Sequence, residues 1–365
     1  MKEIEEISRM NILDDLARIK EIDKGGMLEV EENFYLQLVE AKKIVQKTDL
    51  EKIKGGEFNG VAFLGMGGSG FAGDIIKALI KDDIDIPVEI VKGYSLPSFV
   101  KGGWLVVTVS YSGNTEETVS ATNQALDRGC EIIMVCSGGK LENIARSSNK
   151  TIIKIPSGLQ PRGAVGYLFF PPYLALDNLG IIKISSEDIE EALNLIKDKA
   201  GLYNREVGSD RNFAKKIALK VADNLPIVYG TEGLLAAVAC RLKCEFNENS
   251  KTPCWWNEFS ELNHNETVGW GRLKETTRKF ILLVFREKDE GIRIKTRIDV
   301  TLNLVRENVG EIIEIPVEGE SKLAKALSTM YLGDITSVYL ALMNGIDPSP
   351  VEKIQLLKDK LAKLN

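Results

Sequence analysis

Histidine is nearly absent from this chain: His264 is the single one among 365 residues. A site built on two histidines, such as a zincin or a two-histidine facial triad, is therefore excluded. Cysteine is sparse too. Cys130, Cys136, Cys240, Cys244 and Cys254 contain no Cys-x-x-Cys pair and are odd in number, which argues against a zinc ribbon or a disulfide framework. Basic runs are missing. Lys+Arg is 47 against 53 Asp+Glu, a formal charge of −6, and that balance suits nucleic acid poorly. No apolar run reaches the about 20 residues of a membrane span. The longest, Tyr167 to Leu176, carries Pro171 and Pro172. The opening MKEIEEISRMNILDDL alternates charged with apolar residues and does not read as a signal peptide. The expectation is a cytoplasmic protein with reduced thiols, no metal site, no membrane and no nucleic-acid partner.

What is present is ample core. Hydrophobic residues make up 44% of the chain, enough to exclude global disorder. Since a domain usually takes roughly 100–200 residues, 365 residues point to two domains or one duplicated unit with extensions. Apolar residues at helical spacing mark helices over 3–22 and 30–48, an N-terminal helical extension over 1–50. Residues 51–180 then change rhythm. Short apolar runs at 61–65, 88–94, 104–110, 131–137 and 151–156 read as five strands, with helices over 71–80, 115–128 and 164–179. The runs are continuous rather than alternating, as in parallel strands buried on both faces. A charged helical segment over 181–212 reads as a connector. The pattern returns over 213–365, with strands at 225–231, 279–285 and 311–317. Helices fall at 214–222, 233–245, 297–306 and 321–343, and another follows Pro350. The fold class is α/β, a strand–helix alternation given twice.

Two turns carry the chemistry. GMGGSG, residues 65–70, matches Gly-x-Gly-x-x-Gly through Gly65, Gly67 and Gly70, after a strand and before a helix. A dinucleotide site also wants an acidic residue ending the next strand, and here that strand ends at Lys92-Gly93. SYSGNTEET, residues 110–118, follows the third strand. Ser110, Ser112 and Thr115 supply hydroxyls, Gly113 allows close approach, and a helix begins at Thr115. Hydroxyls beside free helix amides make a phosphate cradle, and in an open parallel sheet both turns lie where ligands bind.

These turns resemble those of the sugar isomerase (SIS) domain, a phosphosugar-binding α/β unit. With QPRGAVGY (160–167), FNEN (246–249) and ELNHNE (261–266), the likeness extends over about residues 30–365 to the bifunctional phosphoglucose/phosphomannose isomerases. It implies two SIS-type subdomains, each a mostly parallel sheet flanked by helices in an αβα sandwich, and a homodimer. It implies metal-independent, cofactor-free interconversion of fructose 6-phosphate with glucose and mannose 6-phosphates through a cis-enediolate. The resemblance makes Glu248 the carboxylate that moves the proton, with Glu245 as the neighbouring alternative. Arg162 becomes the cation for the developing oxyanion, and His264 a ring-opening group reaching the other subunit's site. Lys358 is the C-terminal lysine, with Lys353 second. Gly67, Gly68 and Ser69 would face the sugar, and Ser110, Ser112 and Thr115 the phosphate. Ser349 is a possible ligand contact outside that set. Trp255 and Trp256 read as core ahead of pocket wall or dimer anchor, and Cys240 and Cys244 as small buried hydrophobes on a helix. The alternative is a non-catalytic SIS-domain sugar-phosphate regulator; a DNA-binding helix-turn-helix that would favour it is not legible in the first 55 residues.

Overall fold

The computed structural model describes residues 9–53 and 55–364. The first part of the helix expected over 3–22 lies outside the described residues. Residues 9–14 are helical, and Asp15 then interrupts the helix and caps the next one, accepting from the amides of Ala17 and Arg18 at 2.9 and 3.0 Å. A side-chain oxygen at a helix start satisfies amides that have no partner inside the helix. Helices α1 (Leu16–Ile22), α2 (Met27–Glu32) and α3 (Phe34–Lys47) lead into the main fold.

The first sheet holds β1 (Gly60–Leu64), β2 (Val88–Val91), β3 (Trp104–Val109), β4 (Glu131–Cys136) and β5 (Thr151–Lys154). Every pairing is parallel and the order is β2-β1-β3-β4-β5. Helices α4 (Gly67–Ile80), α5 (Glu116–Asp127), α6 (Gly139–Ser147) and α7 (Val165–Asn178) connect and cover it. The direction of winding reverses at β1. Leu64 sits between Val91 and Thr108, so β1 and β3 end level and the turns that follow them adjoin. A crevice at the strand carboxyl ends opens at such a reversal.

The second sheet repeats the device with β6 (Leu225–Thr231), β7 (Trp255–Phe259), β8 (Phe280–Arg286) and β9 (Glu311–Pro316), all parallel, in the order β7-β6-β8-β9. Sequence reading missed β7. Its run WWNEF is only partly buried, so it lacks the continuous apolar signature of the other strands. Around this sheet stand α8 (Ser186–Tyr203), α9 (Phe213–Val221), α10 (Leu234–Glu248), the short α11 (Glu266–Gly269) and α12 (Lys274–Thr277), α13 (Ile292–Val305), α14 (Lys322–Met343) and α15 (Glu352–Leu361).

One apolar core joins both halves, from Phe34 through Phe169 and Phe170 to Tyr331 and Tyr339. Phe34 stacks on Tyr331 at 5.8 Å. Helix α14, rather than residues 167–176, is the longest apolar element. Its 22 residues could cross a membrane by length and composition, yet its apolar stretch is wholly buried and packs against α8, α9 and α10. Helix α8, in the segment read as a connector, contributes Ile189, Ala192, Ile196 and Tyr203 to the same core.

The duplication is visible in how the leading strands end. A Cβ at Gly65, after β1, would lie 2.9 Å from the carbonyl oxygen of Ser69, and one at Gly230, in β6, 2.3 Å from that of Leu235. Only glycine lets the following helix fold back so close. Gly230→Ala is expected to destabilise the chain by about 1–3 kcal/mol through overpacking, read as a lower midpoint in urea unfolding.

Candidate active site

The glycine turn becomes the first turn of α4. Gly67 has φ 53°, a left-handed value that suits glycine, and Met66 precedes the helix without a side-chain cap. The opening amides of α4 are thus left for an outside acceptor. Ser69 is buried and its Oγ accepts from the amide of Tyr111 at 3.2 Å, which ties this turn to the next. In that second turn Gly113 has φ 67°, and a Cβ there would lie 1.9 Å from the carbonyl oxygen of Gly138. No other residue fits. Ser110 Oγ and Thr115 Oγ1 are hydrogen-bonded at 3.0 Å, and the exposed Ser112 accepts from the amide of Asn114. Thr115 precedes α5 but does not cap it with its own hydroxyl.

The segment Pro161–Ala164 forms a 3-10 turn against the start of α4. A Cβ at Gly68 would be 3.3 Å from Arg162 Cα. Arg162 is 2% exposed. Its Nε donates to Asn249 Oδ1 at 2.6 Å, and its Nη2 to the carbonyls of Pro348 and Ser349 at 2.8 and 3.0 Å. The remaining Nη1 lies 3.6 Å from Glu248 Oε2. Glu248 is the last residue of α10, rather than part of the turn after it, and its side chain is 28% exposed. Neutral acceptors thus hold two sides of a buried cation, and its free edge meets a carboxylate that solvent can reach.

A second buried network stands behind. Asn249 donates through Nδ2 to Glu245 Oε2 at 3.0 Å and to Ser337 Oγ at 2.9 Å. Glu245 also pairs with Arg241 at 3.1 Å. Arg241 grips Asp334 with Nε and Nη2, and its Nη2 donates to the carbonyl of Arg162 at 2.8 Å. Glu245 is therefore the partner of Arg241 and closed to solvent, which removes it as the proton carrier. Burial pushes the carboxyls of Glu31, Glu245 and Asp334 above their ordinary range, against the pull of Arg241. Burial opposes the charge of Arg241, but Asp334 and Glu245 outweigh it and keep the guanidinium firmly protonated.

Lys251 belongs to this cluster and sequence reading missed it. It takes a left-handed φ of 56°, and its Nζ donates to the carbonyls of Glu248 and Pro348 at 2.5 and 2.9 Å. Burial, then the charge of Arg162, lowers its pKa. The available signal was a lysine three residues past a helix-final glutamate, where a cation meets the last carbonyls. Ser349 lies in the loop clamped by Arg162, its Oγ buried without a hydrogen-bond partner among the described residues.

Not every expected residue arrives. His264 ends a 3-10 turn (Glu261–His264) beside β7 and α11, exposed, its side chain with no hydrogen bond or ion pair among the described residues. Lys358 and Lys353 lie exposed on α15, a helix with no buried residue. Contacts within one chain link Gly68, Ser69, Ser110, Thr115, Arg162 and Glu248 through their two turns, and among the described residues none of them is to His264 or Lys358. Trp255 and Trp256, read as core, are 50% and 37% exposed on the edge strand β7. Core packing is therefore corrected: an edge strand has an open side. At the position in the second sheet equivalent to the 110–115 turn, Arg286 ties together Glu290, Asp299 and Glu314, and with Lys288 and Lys295 it lines a cavity of about 290 Å³.

Arg241→Met would leave three buried carboxyls without their cation. It is expected to cost about 3–5 kcal/mol at pH 7. The deficit should shrink as pH falls towards about 5, because protonation removes the uncompensated charge. Urea unfolding at the two pH values checks both the size and the sign.

Comparison with known proteins fits this arrangement. Residues 59–166 match the SIS domain, and residues 210–361 match the bacterial phospho-glucose isomerase C-terminal SIS domain. A bifunctional phosphoglucose/phosphomannose isomerase from Caldicellulosiruptor bescii is 40% identical over 86% of this chain and 92% of its own. One from Aquifex aeolicus is 38% identical over 84% and 91%. Among solved structures, a hypothetical protein from Thermus thermophilus shares the fold at a TM-score of 0.72 and 12% identity, covering 99% of this chain and 94% of that one. With relatives this similar along nearly their whole length, the chain belongs to the family of bifunctional phosphoglucose/phosphomannose isomerases.

Proposed function

We propose that the chain interconverts fructose 6-phosphate with glucose 6-phosphate and mannose 6-phosphate, moving a proton between carbons one and two through a cis-enediolate. The observation that carries this reading is the ion pair of Arg162 with Glu248, set against the glycine turn that Ser69 links to the 110–115 turn. A phosphate held by Ser110, Ser112 and Thr115 places the sugar along Gly67, Gly68 and Ser69. Glu248 takes the proton from one carbon and returns it to the other. Arg162 keeps its own proton and stabilises the oxygen that gains charge. Rotation about the bond between carbons two and three of the enediolate presents either face of carbon two to Glu248, and so gives both aldoses. The chemistry asks for no metal or cofactor.

The reading includes a homodimer in which His264 of the partner subunit assists ring opening, with Lys358 as the second group. Three observations support the dimer: the His264 side chain has no partner among the described residues of its own chain, Trp255 and Trp256 lie on an open edge strand, and Val268 and Leu273 nearby are exposed. The partner's His264 would then complete a site that one chain leaves unfinished.

A coupled assay from fructose 6-phosphate, with chelator present and each aldose detected separately, tests the reaction. The wild type is expected to give both products. Glu248→Gln should lose about three orders of magnitude in kcat, the scale of a positioned acid–base group, and still bind fructose 6-phosphate. A Glu248→Gln enzyme with most of its turnover would sink the assignment. Mixing inactive Glu248→Gln with inactive His264→Ala tests the dimer. If His264 acts in trans, about a quarter of the sites regain both groups, since half of randomly mixed two-fold dimers hold one intact site of two. No recovery after subunit exchange would place His264 in its own chain's site or outside catalysis.

A further inference from the structure

The five cysteines fall into two classes. Cys130, Cys136 and Cys254 are buried, and burial pushes each thiol up out of the reactive range. Cys240 and Cys244 are only partly buried. They stand four residues apart on α10, so both thiols project from one face. Cys244 donates a hydrogen bond to Cys240, which, with Lys92 and Lys243 nearby and despite burial, lowers the Cys240 pKa to about 7. The same bond pushes Cys244 up. The two thiols are unequal: Cys240 is the one lowered, the attacking sulfur, and Cys244 the one raised, the resolving sulfur. A low-pKa, reachable cysteine beside a resolving cysteine is the arrangement of an oxidant-sensitive site. Glu248 continues the same row, four residues beyond Cys244, and its charge acts on that thiol.

We propose that Cys240 and Cys244 form a peroxide-sensitive dithiol on α10 whose oxidation switches off the site at Glu248. The Cys240 thiolate attacks a peroxide oxygen, the O–O bond breaks, and a sulfenic acid forms with release of hydroxide. The Cys244 sulfur then attacks the sulfenic sulfur, forming the S–S bond and expelling the oxygen as water. Two thiols lose two electrons and two protons, and one hydrogen peroxide becomes two waters. The mechanical consequence follows from geometry. Residues four apart on a helix hold their Cβ atoms about 5–6 Å apart, whereas a disulfide needs about 3.8 Å. Closing the bond draws two turns of α10 together and displaces the next turn, which carries Glu248 and Asn249 against Arg162. The loss of turnover rests on Glu248 as the proton carrier; the oxidation itself does not.

The test treats the intact enzyme with hydrogen peroxide and reads chemistry and activity separately. Arg241 and Lys243 lie between the two cysteines, so trypsin separates them and a disulfide shows as linked peptides by mass spectrometry. The expected result is two thiols lost per chain, a Cys240–Cys244 linkage, and kcat reduced about a hundredfold, the scale of an ångström-sized misplacement, regained with dithiothreitol. Cys240→Ser and Cys244→Ser should be as active as wild type before treatment, and Cys240→Ser should resist peroxide. No linked peptide in peroxide-treated protein, or equal inactivation of Cys240→Ser, would overturn the proposal. A linkage without loss of kcat would overturn the switch. An enzyme inactive before oxidation would instead count against the isomerase reading, and the peptide map would still decide the dithiol.

Discussion

A guanidinium taken out of water is the constraint on which this structure turns. Burying a charge costs several kcal/mol unless acceptors surround it, and Arg162 finds its acceptors on parts of the chain far apart in sequence. Asn249 and Glu248 come from the end of α10, and the carbonyls of Pro348 and Ser349 from the loop before α15. The requirement to satisfy one cation thus fastens the first sheet's crevice to elements of the second half. Arg241 repeats the principle one layer deeper, binding Asp334 of α14, Glu245 of α10 and the backbone of Arg162 itself. Position and charge of the proposed catalytic pair are set by this packing, and mobility is removed before substrate arrives.

The duplicated architecture is used asymmetrically. Both sheets reverse winding at their leading strand, and each has a glycine within one residue of that strand's end that meets the following helix's backbone. The first half carries the cluster of hydroxyls, Ser110, Ser112 and Thr115, at its crevice. In the second half the matching place is lined by Arg286 and the carboxylates it pairs with, and that half supplies α10, with Glu248 at its end, and the supporting network. In the proposed reaction one half binds and the other brings the acid–base group.

Much of this was legible in sequence because it rests on local signals. Apolar runs marked eight of the nine strands among the described residues, since parallel strands buried on both faces need little else. The two turns declared themselves through glycines and hydroxyls at strand ends, and Arg162 through its place between Pro161 and Gly163. What escaped was what local signals do not encode. β7 is half exposed and its tryptophans imitate a core. Lys251 looks like any surface lysine until the fold brings the Pro348 carbonyl to it. Cys240 and Cys244 share a helix face, and their inequality comes first from their contact with each other, with Lys92, which arrives from the first sheet, adding to it.

The sequence by itself determined the fold class, the two strand–helix series and the residue types offered to a phosphosugar. Those follow from periodicity and turn chemistry, which act over a few residues. Tertiary structure decided which residues meet. It paired Arg162 with Glu248 rather than Glu245, committed Glu245 to Arg241, and left His264 on the surface of its own chain. Such choices depend on burial and on charge compensation between segments up to 187 residues apart, and no local pattern carries that information.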